Sequence, residues 1–142
     1  MGKLESFGVI PIYKKDNKFY ILLVKNSKGG HWGLPKGTPE LNENPFETAV
    51  RELEEETGIT EIKIKEGVTF KESYVFEQDK KSYNKTNTYF IGFVSKMDLN
   101  NNLDEIDEIK WIEIDKAKDV LTHQSSADTI NSLYEYLSKP EL

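Results

Sequence analysis

A chain of 142 residues has the length of one compact domain, and its 37% apolar content can fill a single core. It carries 25 acidic against 19 basic residues, a formal net charge of −6, which excludes a polyanion binder that works by bulk positive charge. With no cysteine and two histidines, His31 and His123, it also excludes disulfide scaffolds, thiolate metal sites, cysteine nucleophiles and histidine-rich metal sites.

Strand character comes first along the chain. Phe7 to Tyr13 and Phe19 to Val24 are rich in β-branched and aromatic residues, with Lys14 to Lys18 as a polar turn between them. The first helix is predicted over Pro45 to Thr57. Asn44 can cap it, Pro45 suits its first position, and Glu47 stands where a capping-box acid stands. Phe46, Ala49, Val50 and Leu53 form its apolar stripe, and Gly58 supplies a left-handed stop. Strands are then predicted at Ile62 to Phe70, Glu72 to Gln78 and Thr88 to Ser95. The Lys/Asn-rich stretch from Gln78 to Asn87 reads as a polar hairpin loop. Ile109 to Ile114 alternates as a strand covered on both faces. A short helix fits Asp115 to Leu121. A terminal helix fits Ser126 to about Ser138, with Ile130, Leu133, Tyr134 and Leu137 as its stripe. The order predicts one α/β or α+β domain over residues 1–142, a mixed sheet sandwiched between helices. No stretch approaches the roughly 20 apolar residues of a spanning helix, and Met1 to Tyr13 lacks a secretory pattern, so a cytoplasmic protein is expected.

The chemistry lies in the first helix. Glu52, Glu55 and Glu56 stand at i, i+3 and i+4 and share one face, where they repel one another. They also sit near the helix C-terminus, where the dipole disfavours negative charge. A hard divalent cation, magnesium or manganese, relieves both penalties and takes its remaining ligands from water and substrate phosphates. Arg51, four residues from Glu47 and from Glu55, can hold those acids in place. Gly37 permits close backbone approach, with the Lys36 carbonyl pointing into the same space. The competing reading is a solvated acidic face.

Spacing separates the two readings. Gly37, five residues, Glu43, seven residues, then Arg51-Glu52-Leu53-x-Glu55-Glu56-x-Gly58-Ile59 resembles the Nudix hydrolase signature at every fixed position. By composition, such a match arises by chance well below about one time in a million. One departure is Asn42, where many members have glycine; asparagine tolerates a left-handed backbone.

The resemblance implies a Nudix fold and hydrolysis of a nucleoside diphosphate linked to another group. It implies that Glu52, Glu55 and Glu56 hold magnesium, with manganese as a substitute and the Lys36 carbonyl as an extra ligand, while Gly37, Glu43 and Arg51 support the loop and helix. Glu52 is one candidate general base. Glu105 is a second candidate, as base or metal ligand, with Asp104, Asp107 and Glu108 as rivals.

Three further segments resemble the asymmetrical diadenosine tetraphosphate hydrolases: His31-Trp32-Gly33-Leu34-Pro35-Lys36-Gly37, Lys85-Thr86-Asn87-Thr88-Tyr89-Phe90, and Glu105 to Ile112. They imply phosphate contacts from Lys36, Lys85 and His31, against surface lysines and a structural histidine. Tyr74 and Tyr134 are candidates to stack on adenine, against core packing for Tyr134. The implied partner is a small nucleoside polyphosphate, with no membrane and no stable nucleic-acid complex; oligomeric state stays open. The alternatives are an RNA 5′-triphosphate pyrophosphohydrolase and a non-catalytic Nudix-fold nucleotide sensor.

Overall fold

The computed structural model describes residues 2–97 and 106–140. Its elements run β1 (Gly2–Lys15), β2 (Lys18–Asn26), β3 (Trp32–Gly33), β4 (Lys36–Gly37), α1 (Pro45–Thr57), β5 (Lys63–Gln78), β6 (Lys81–Phe93), β7 (Ile106–Glu113), a 3-10 turn (Ile114–Asp119) and α2 (Gln124–Leu137).

β1 is the spine. It runs parallel to β6 from Gly2↔Tyr83 to Ile12↔Phe93. Its other edge pairs antiparallel with β4 at Phe7 and Gly8, and with β2 further along. β5 flanks β6, and β7 flanks β2. Both faces of β1 are covered, so Ser6 to Ile12 is buried without a break, which explains its unbroken apolar run. Phe7 and Val9 pack with Ala49 and Leu53 of α1. Ile10 and Ile12 point the other way and join Ile130 and Leu133 of α2. The sheet is therefore sandwiched between α1 and α2, an α+β arrangement with a mixed sheet, as predicted.

The helix signals hold closely. Asn44 and Glu47 form a reciprocal capping box, and Gly58 ends α1 at φ 76°. The predicted stripe is only partly right. Thr48 and Thr57 are buried with Ala49 and Leu53, whereas Phe46 is exposed and meets Phe90 edge-on. Tyr134 is also exposed, so core packing is not its role.

The largest correction lies between β5 and β6. The expected loop from Gln78 to Asn87 is mostly strand. Asp79 and Lys80 both take positive φ, 53° and 65°, and close a two-residue turn. The hairpin then pairs Gln78↔Lys81 through Ser73↔Thr86 and Glu72↔Asn87. The two strands predicted between Ile62 and Gln78 are one, with an irregularity between Ile64 and Thr69 that contains Gly67 at φ 78°.

Candidate active site

Two consecutive residues of β4 organise the site, because neighbours on a strand face opposite sides of the sheet. Gly37 faces α1. A Cβ there would lie 2.0 Å from the Glu52 carboxyl carbon, so the missing side chain is the cradle for that carboxylate. Lys36 faces the α2 side, and its backbone N–H donates to Glu56 Oε2 at 3.3 Å. Glu52 and Glu56, one helical turn apart, thus lie against successive residues of one short strand. Glycine is needed again at Gly8, where a Cβ would lie 2.0 Å from the Pro35 carbonyl oxygen and force β4 off β1.

Arg51 binds the acids together. Its Nε and Nη2 donate to the two Glu43 oxygens at 2.7 and 3.0 Å, a bidentate pair. Its Nη1 donates to Glu52 Oε1 at 2.9 Å and Glu55 Oε2 at 3.1 Å, and Nη2 also reaches the Thr38 carbonyl at 3.0 Å. Glu47, expected as a partner of Arg51, instead accepts from the Asn44 backbone in the capping box. The Asn42 substitution is absorbed as expected, with φ at 64°.

Glu43 further accepts from the Thr48 hydroxyl at 2.7 Å and the Glu40 backbone at 2.9 Å. The Arg51 guanidinium, then the Glu40 N–H, hold its carboxyl down to about 2. Because the folded value lies below the ordinary 4.5, this carboxylate stabilises the fold above the ordinary range. That contribution is lost as pH falls through about 2. Glu43→Gln is therefore expected to lower the thermal midpoint most near neutrality. The gap from the parent should narrow as pH falls below the ordinary carboxylate range. Thermal unfolding from pH 7 to pH 3 measures this, and a gap of constant size would refute it.

The donor set fits a hard divalent cation. All the candidate side-chain ligands are carboxylates, and the Gly37 cradle holds one of them against β4. Among the described residues no three acidic or histidine side chains already converge as a metal cluster. Glu52 and Glu55 instead share the Arg51 guanidinium. Glu105 lies outside the described residues.

On the α2 side a cavity of about 200 Å³ opens beside Lys36 and Glu56. Lys36, Tyr74 and His31 line it together, whereas Tyr134 does not. Lys85 pairs with Tyr74 across the hairpin, and its ammonium donates to the Ser6 hydroxyl. Burial, then the charge of Lys36, hold Lys85 below its ordinary value. The two lysines feel one another's charge, and Lys36 shares the cavity wall with Glu56 and Glu72. Tyr74 stacks on His123, with ring centroids 6.5 Å apart and planes at 16°, and His123 lies 5.0 Å from His31. The Trp32 backbone N–H donates to Thr122 Oγ1 at 2.8 Å, and the Thr122 N–H returns to the Trp32 carbonyl at 3.2 Å. This clasp carries His31 and His123 together from loops far apart in sequence.

The sequence reading missed the cavity floor. Glu72, Asn87, Tyr89 and Ser126 are buried there as a polar network. The signal was the alternation of Lys85, Asn87 and Tyr89 against Glu72 and Tyr74, which a loop assignment hides.

The geometry defines a loop and helix that present carboxylates beside a cavity lined by Lys36, Glu56 and aromatic rings. The NUDIX domain model matches residues 2–133, and the chain belongs to the Nudix family. It is 32% identical over 136 residues to the mRNA-decapping protein g5R of African swine fever virus (isolate Pig/Kenya/KEN-50/1950), covering 87% of this chain and 54% of that protein. The chain spans about half the length of these viral relatives. It is 30% identical over 131 residues to the asymmetrical bis(5′-nucleosyl)-tetraphosphatase of Rattus norvegicus, covering 89% of this chain and 86% of that enzyme. The binary complex of a C. elegans Ap4A hydrolase shares the fold, with TM-score 0.81 at 24% identity over 95% of this chain and 98% of that one. Among the described residues no helix is long and apolar enough to cross a membrane.

Proposed function

We propose that the whole chain is one catalytic domain that hydrolyses nucleoside polyphosphates, cleaving diadenosine tetraphosphate asymmetrically to ATP and AMP. The observation that supports the reading is Lys36 bound through its backbone to Glu56 at the edge of a cavity walled by the Tyr74–His123 stack. Lysines suit a polyphosphate chain, and stacked rings suit a base. The named activities of the rat and C. elegans proteins support the same choice.

Glu52, Glu55 and Glu56 are the residues to hold magnesium, with manganese as the substitute and the Lys36 carbonyl as a further ligand. The cation supplies Lewis acidity and charge neutralisation at the phosphates. The protein's own part is to orient and to accept a proton. Water attacks phosphorus, a bridging phosphorus–oxygen bond breaks, and Glu52 takes the water's proton. Glu105 is the second candidate for that role. Lys36 and Lys85 offset charge on the phosphate chain, and Arg51 fixes Glu52 and Glu55.

Incubation with diadenosine tetraphosphate and magnesium in oxygen-18 water tests the reading. Equal AMP and ATP, with label in one of them, is the expected result. ADP as the sole product overturns the asymmetry. The viral relative's name favours a second reading, hydrolysis at an RNA 5′ end. Release from capped or triphosphorylated RNA without cleavage of the dinucleotide would establish it instead.

A further inference from the structure

The floor of the cavity contains a buried acceptor with nothing to bind. Glu72 Oε1 accepts from Asn87 Nδ2 at 2.9 Å and from the Tyr89 hydroxyl at 2.8 Å, and Glu72 Oε2 accepts from the Ser126 hydroxyl at 3.0 Å. Ser126 lies in the first turn of α2, where the helix dipole favours a carboxylate. Burial, then the charge of Glu72, raise the Tyr89 phenol well above its ordinary value, so it stays a donor. A carboxylate that accepts from three sides fixes the Asn87 amide: its NH₂ turns to Glu72, with the Tyr74 phenol also within reach of the amide, and its carbonyl oxygen turns away. That oxygen, Asn87 Oδ1, is fully buried and has no hydrogen-bond partner. A buried acceptor left unmade is costly, and Asn87 lines the cavity.

The chemistry of the missing partner follows from its surroundings. A phosphate oxygen is excluded at the floor, because an unpaired acceptor backed by a carboxylate repels anions. A donor N–H is favoured. The rings of Tyr74, His123 and Trp32 around the cavity select a flat group. We infer that Asn87 reads the base of the bound nucleotide, with Oδ1 accepting a hydrogen bond from an exocyclic amino group, and that Glu72 is the positioning residue that sets the amide's orientation. This assignment rests on the nucleoside polyphosphate reading and deepens it.

The test compares AMP with purine riboside 5′-monophosphate, which lacks the amino group. Calorimetric titration of chelator-treated protein measures binding without turnover. The parent protein is expected to prefer AMP about tenfold. Asn87→Val is expected to bring the two ligands to within about twofold of each other, mainly by weakening AMP. Equal binding of the two ligands by the parent overturns the inference without recourse to any variant, so a poorly folding Asn87→Val does not protect it. A tenfold preference that survives in folded Asn87→Val overturns it as well. The outcomes separate from those of the activity: cleavage of the dinucleotide with no amino preference sinks this assignment alone. An amino preference without cleavage sinks the hydrolase reading and leaves a nucleotide-binding site.

Discussion

Glu52→Gln is expected to lower kcat by about a hundred- to ten-thousandfold, the range for removing a positioned proton acceptor. The fold should be kept. The glutamine has the shape of the carboxylate that fills the space over Gly37, and its amide oxygen can still accept from Arg51 Nη1. The substitution also removes one of three crowded acids, and relief of a like-charge pair stabilises a helix by about 0.2–0.5 kcal/mol. A thermal midpoint at or slightly above the parent value, with activity nearly gone, is therefore the predicted combination. On the proposed reading, in which Lys36 and Lys85 hold the phosphates, KM should change little. The pH profile divides the two duties assigned to this side chain. As the base, Glu52 sets the acidic limb of the kcat profile, and the limb disappears from the residual activity. As a ligand alone, it leaves the limb in place, and excess magnesium recovers part of the rate. Activity within threefold of the parent at all magnesium concentrations would remove Glu52 from the chemistry.

The glutamate helix was legible because every signal in it is local. A cap, a proline, a glycine stop and three acids at helical spacing are read from neighbours in sequence, and the structure puts α1 at the predicted bounds. The cavity floor was not legible for the opposite reason. It depends on pairing Glu72 with Asn87 through a turn made by Asp79 and Lys80, neither of which is glycine or asparagine. Read as a loop, the lysines and asparagines there looked solvated. Placed on a strand, every second residue turns inward, and Lys85, Asn87 and Tyr89 fall on one face. His123 was likewise invisible, since its stacking on Tyr74 rests on the clasp between Trp32 and Thr122, contacts that no local pattern encodes. The same limit applies to burial on a helix. Phe46 and Tyr134 fall on apolar stripes, yet both are exposed.

Arg51→Met should produce the largest loss of stability. The guanidinium is about one-fifth exposed, and it compensates Glu43 and Glu52, whose side chains are 13% and 15% exposed. Removing one partner of a fully buried pair costs about 3–5 kcal/mol. Partial exposure here reduces that to about 2–3 kcal/mol, or roughly 6–10 °C in a domain of this size. Methionine preserves the aliphatic packing, so the loss reports the charge. The same substitution should change the response to magnesium. In the parent, Arg51 Nη1 occupies one oxygen of Glu52 and one of Glu55, and a cation must compete with it for them. Without the guanidinium Glu52 and Glu55 lose that positive partner, and a ligand that binds the folded state stabilises it by RT ln(1 + [L]/Kd). Millimolar magnesium should therefore raise the midpoint of Arg51→Met by more degrees than that of the parent, each measured against a chelator control. Activity should still fall, because Glu52 and Glu55 lose the group that orients them. An equal magnesium shift in both proteins would mean that Arg51 and the cation do not share the same carboxylates, and the assignment of Glu52 and Glu55 as ligands would fail with it.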